Sequence, residues 1–157
     1  MKKYLGTIGV NALKIWGASW IGFLVEAIPL FIMQFQHVTE KIQDIVSGII
    51  CGIAAMVALF IFFKWEGRKR EFRTYSLSEL ILVSAAPAFL WAIVGCVFVG
   101  NNYLVLSCIV PLCSAVTGIE QIDYTFFTPL PFALLFAFFY AVAIFLGYWY
   151  GRKHQKW

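Results

Sequence analysis

The stretch "FLVEAIPLF", residues 23–31, holds one carboxylate, Glu26, among apolar neighbours, with Pro29 one turn further on. An acid in such a setting can do three things. It can bind a proton or a cation, it can hydrogen-bond between helices as a neutral group, or it can pair with a basic residue of another protein. Pro29 favours the first use, because proline removes a backbone donor and loosens the helix beside the acid. The cysteines come next. Cys51 and Cys96 sit in apolar runs and read as small apolar side chains. Cys108 and Cys113, in "SCIVPLC", are the candidate disulfide. His37 and His154 are too far apart in the chain's layout to act as paired axial ligands, and neither has a Cys, His or Asp cluster beside it. No GxxxxGK[ST], HExxH or GxSxG occurs. No catalytic residue, metal site or cofactor is therefore expected.

The elements that must position Glu26 follow from composition. The 157 residues are 62% hydrophobic and 13% charged, with 16 Phe, 7 Tyr and 6 Trp, and the mean hydropathy is +0.83. Soluble domains carry about 25% charged residues, so this surface suits lipid. Four runs, 17–35, 45–63, 80–99 and 130–150, are long enough to cross a bilayer as helices. They must be helical because hydrocarbon offers no partner to an open backbone amide. The fold class expected is all-α: one polytopic bundle of four transmembrane helices, forming a single domain over 1–157. "SLSE" (Ser76 to Glu79) has the spacing of a capping box for the third helix. Thr128 and Pro129 supply a cap and a first-turn proline for the fourth. Gly67 and Gly151 read as helix stops.

Charge sets the expected orientation. Lys2, Lys3 and Lys14 precede or enter the first span, Lys64 and Arg68 to Arg73 lie between the second and third, and Arg152, Lys153 and Lys156 follow the fourth. Lys41 alone falls on the other side, and 100–127 holds Glu120 and Asp123 without any Lys or Arg. The positive-inside rule places both termini in the cytoplasm, as in a bacterial-type plasma membrane protein. Residues 103–117 would extend only about 22 Å as a helix, short of the roughly 30 Å hydrocarbon core. Pro111 interrupts them as well. They read as a re-entrant or surface-lying segment; a fifth span would send "GRKHQKW" to the outside. Asn11 and Lys14 break the apolar run a signal peptide needs, so residues 3–16 read as an uncleaved segment lying along the cytoplasmic interface. Trp16, Trp20, Tyr148, Trp149 and Tyr150 fit an aromatic belt.

Depth then selects partners. Glu26 lies about 13 Å from either end of its span, where a charge costs about 2.5–3.5 kcal/mol on insertion scales. It should be neutral unless a cation reaches it. Lys14 is roughly 18 Å away along the axis and is expected to snorkel outward. Trp91 and Tyr140 match Glu26 in depth. Gly48, Gly52 and Ala55 form a small-residue face for helix packing, within the bundle or against another subunit. Arg68, Lys69, Arg70 and Arg73 can touch lipid headgroups or an acidic partner, or can simply fix topology.

Two family layouts are similar in part. Four-span membrane thiol oxidases share the plan of inside termini with cysteines in outer loops, but residues 36–44 here hold no Cys-x-x-Cys. A carboxylate in the first of four helices, with "APAFLWAIVG" (86–95) in the third, resembles the small multidrug resistance transporters and would imply proton-coupled transport at Glu26. The residues after Trp91 do not continue with that family's glycines, and the strong Lys/Arg bias also departs from the pattern. The function expected is a non-enzymatic subunit or oligomerising component of a membrane complex, its partners being the bilayer and either its own copies or a larger membrane protein. A proton- or cation-coupled transporter using Glu26 is the alternative. Nucleic acid is not expected, since topology already explains the net charge of +4.

Overall fold

A computed structural model describes residues 2–97 and 130–154, apart from the side chains at 2, 3, 41, 44, 70, 73, 95 and 97. Helix α1 spans Lys2–Phe35, α2 Glu40–Gly67, α3 Leu77–Val97 and α4 Leu130–Lys153, with a 3-10 turn at Arg70–Thr74 between α2 and α3. All four helices are long and apolar enough to cross a membrane. The expected segment 103–117, Cys108, Cys113, Thr128, Pro129 and the end of the third run at Val99 lie outside the described residues.

Helix α1 corrects one expectation. Residues 3–16 do not lie apart along an interface; they are the first turns of a continuous 34-residue helix, about 51 Å long at 1.5 Å per residue. Asn11 and Lys14, which break the apolar run in the sequence, are each met by another helix. Asn11 is buried, and Ile15 beside it is fully buried in the core.

Each helix packs on two others: α1 against α2 and α3, and α4 against α2 and α3. The start of α1 meets the start of α3 through Tyr4 and Glu79. The last turns of α2 and α4 meet through Lys64 and Gly151. So α1 and α3 run away from one shared end of the bundle, and α2 and α4 run toward it.

Small side chains line the helix contacts beside a set of large ones such as Leu59, Phe63 and Tyr140, while many other large apolar side chains face outward. Ala18, Ala55, Ala58, Ala88, Ala92, Ala133 and Ala137 are buried, while Leu24, Phe31, Val57 and Phe138 are exposed. Lipid tails are as apolar as leucine, so turning leucine inward gains little; close helix approach gains dispersion contacts. The closest approach is between α2 and α4. A Cβ on Gly147 would stand 2.8 Å from the Phe60 carbonyl oxygen and 2.9 Å from Phe63 Cβ, and one on Gly151 would collide with the Lys64 carbonyl. Gly151 therefore does not stop α4, which continues to Lys153. It is the second glycine of a Gly147-x-x-x-Gly151 stripe, with Gly67 of α2 facing it.

The ends of the helices are locally determined. α1 closes in a Schellman arrangement, with His37 at a positive φ of 51°. The Val38 N–H donates to Met33 at 3.2 Å and the His37 N–H to Gln34 at 3.3 Å. α3 opens with the capping box expected: the Glu79 N–H donates to Ser76 Oγ at 3.3 Å, and the Ser76 N–H to Glu79 Oε2 at 2.6 Å.

Candidate functional site

Among the described residues, polar side chains gather in two places. The first is the shared helix end. Pro87 in α3 has no N–H, so the carbonyl four residues earlier, on Val83, lacks its helical donor. Asn11 Nδ2 of α1 donates to that carbonyl at 2.9 Å. The same amide's Oδ1 accepts the Tyr148 hydroxyl of α4 at 3.2 Å. One buried side chain thus joins three helices. Around it, the Tyr4 hydroxyl donates to Glu79 Oε1, and Glu66 accepts both Lys14, through Oε2, and Lys69, through Oε1 at 3.3 Å. Lys14 reaches Glu66 near the end of α2, with its ammonium 5.3 Å from the Phe63 ring centre.

The loop between α2 and α3 is fastened to this end. Arg152 donates to the Tyr75 carbonyl at 2.9 Å, and Phe72 stacks on Tyr148 with ring centres 4.7 Å apart. Tyr148 is therefore a core residue and not part of an aromatic belt; Trp149 and Tyr150 beside it are exposed, as are Trp16 and Trp20. Arg68 and Lys69 are exposed on the loop. The side chains of Arg70 and Arg73 lie outside the described residues.

The second place is the α1–α2 seam. Glu26 is 4% exposed, and its Oε1 accepts the hydroxyl of Ser47, itself buried. One turn from each, Gly22 of α1 meets Cys51 of α2: a Cβ on Gly22 would lie 2.7 Å from the Cys51 carbonyl oxygen and 3.3 Å from Ala55 Cβ. Cys51 is disulfide-bonded, which corrects its reading as a plain apolar side chain; Cys96 is a buried free thiol. Gly48 is buried, and Gly52 faces α4, where a Cβ would stand 2.7 Å from Phe136 Cε1. Gly52 and Ala55 of the small face are thus turned to α4 and α1 of the same chain.

Trp91 and Tyr140 are brought together, with ring centres 5.1 Å apart. Neither hydrogen-bonds Glu26. Trp91 Nε1 and Tyr140 OH are buried with no hydrogen-bond partner among the described residues. Sequence reasoning missed Ser47, although a signal existed. The turn after Phe35 makes α1 and α2 an antiparallel hairpin, and counting outward from it sets Glu26 and Ser47 at similar depth. It missed Asn11 as well; the signal there was a lone amide in α1 together with a proline-freed carbonyl in α3.

His37 and His154 stand at opposite ends of the bundle, at the α1–α2 turn and on the last turn of α4 beside Tyr150. Among the described residues no three of His, Cys, Asp and Glu gather as metal ligands would. The fold and these polar groups define an all-helical bundle of the multi-pass membrane class. Comparison with protein family models, curated proteins and solved structures finds no match to this chain.

Proposed function

We propose that this protein is a small, non-enzymatic integral membrane subunit. It assembles with a larger membrane protein or with its own copies, and it keeps both termini in the cytoplasm of a bacterial-type plasma membrane. The observation that carries the reading is how the interior is filled. Alanines, glycines, aliphatic side chains and packed aromatics occupy it, and the amide and carboxylates at the helix end are engaged with neighbouring helices. What remains to offer a partner is surface. An apolar groove of about 330 Å³ between α2 and α4 is lined by Ile49, Ile53, Met56 and Leu135, among others. Cytoplasmic termini are supported by the meeting of Lys14, Lys64, Lys69 and Arg152 at one bundle end, as the positive-inside rule requires. In mild detergent, affinity purification should recover a stoichiometric membrane-protein partner or a discrete homo-oligomer. Repeated recovery of the lone monomer under those conditions would overturn the reading.

Burial of Glu26 beside Ser47 favours a second reading, proton- or cation-coupled transport with Glu26 as the coupling group. Reconstituted liposomes should then show proton or cation flux that Glu26→Gln abolishes. Flux unchanged by that substitution removes Glu26 from any such mechanism.

A further inference from the structure

We propose that the groove beside the last turns of α2 is a binding site for an anionic phospholipid, independent of whichever partner the bundle has. Its walls are Ile61, Phe62 and Trp65, its rim is Lys14, Glu66 and Lys69, and its volume is about 630 Å³, in the range of small-molecule sites. Two features select the ligand. The first is the order of polarity. Ile61, Phe62 and Trp65 are exposed apolar side chains on a helix fit to span a membrane, and the charges lie at that helix's end. A phospholipid has the same order, chain then headgroup. The second is charge. Glu66 is shared between Lys14 and Lys69, so two ammonium groups face one carboxylate and a positive charge is left over at the rim. An ammonium carries three donors, and the Lys69 side chain is 63% exposed, so it can hold Glu66 and a phosphate together. A zwitterionic headgroup would bring its own cation against the two lysines. A soluble anion would leave the apolar wall uncovered.

Trp65 is a built-in probe, because brominated acyl chains quench indole fluorescence on contact. The full chain, wild type and Trp65→Phe, is placed in nanodiscs containing equal mole fractions of brominated phosphatidylglycerol or brominated phosphatidylcholine. The Trp65 component should be quenched roughly fivefold more effectively by the anionic lipid, the factor that about 1 kcal/mol per basic residue near a membrane surface corresponds to. The preference should fall to near one in Lys14→Gln and in Lys69→Gln. Lys69 is exposed enough that its variant keeps the fold even where Lys14→Gln loosens it, and a melting curve for each separates the two effects. Equal quenching by the two lipids, or a preference unchanged in Lys69→Gln, overturns the proposal. Loss of the preference on adding inorganic phosphate overturns it too, by assigning the rim to a soluble anion.

Discussion

Glu66 and Glu26 are carboxylates facing the same pair of helices, and the protein treats them differently. Glu66 stands at the helix end with two ammonium groups on its two oxygens. Glu26 stands deep in the α1–α2 seam and takes a neutral hydroxyl from Ser47. Near the end of a span, long lysine side chains can bring charge to charge while their stems stay in apolar surroundings. Inside a seam, burying a compensating cation would add its own desolvation cost, which a neutral hydroxyl does not carry. Burial, then, sets how costly each kind of partner is for a membrane acid.

The largest expected effect tests the scaffold that holds Glu66 in place. Gly151→Leu drives a side chain into the Lys64 carbonyl and should cost about 3 kcal/mol or more, read as a large fall in melting temperature in detergent. A variant that melts like the wild type would mean α2 and α4 are not in backbone contact. Next comes Asn11→Leu, which removes two interhelical hydrogen bonds. The expected loss is about 1–2 kcal/mol, with Tyr148→Phe, which removes one of them, costing roughly half as much. Glu66→Gln and Glu26→Gln sharpen the comparison directly. Each should cost about 1 kcal/mol or less. The Glu66 difference should shrink in 1 M salt, because its ion pairs are partly solvent-screened, and the Glu26 difference should not. Equal salt response in the two melts would show that both acids sit in the same kind of environment. The smallest effect belongs to Lys69→Ala, under about 0.5 kcal/mol, since that pair is exposed and spans only one helical turn; the same thermal melts measure it.

The sequence made the four helices legible because each is a long apolar run, and it made the start of α3 legible because a capping box is a local signal. What it hid was non-local. Asn11 and Lys14 read as interruptions since their partners, Val83, Tyr148 and Glu66, are 52 or more residues away in the chain. Gly67 does end α2, as its place after an apolar run suggests, but Gly151 reads as a stop only because no neighbour is in view. Only the parallel approach of α2 and α4 gives these residues their packing role. Glu26 was legible as buried and polar, but matching depth by aromatic type pointed to Trp91 and Tyr140. The hairpin register pointed to Ser47.

The link between Asn11 and the carbonyl freed by Pro87 has a consequence for biogenesis. α3 cannot complete its own backbone pairing, so within hydrocarbon it depends on a donor supplied by a neighbour. α1 is made first, and its amide is already waiting when the proline-bearing helix leaves the ribosome. Asn11→Ala should therefore delay the maturation of α3, seen in a pulse–chase experiment as a longer period of protease sensitivity, even in cells where the finished protein accumulates normally.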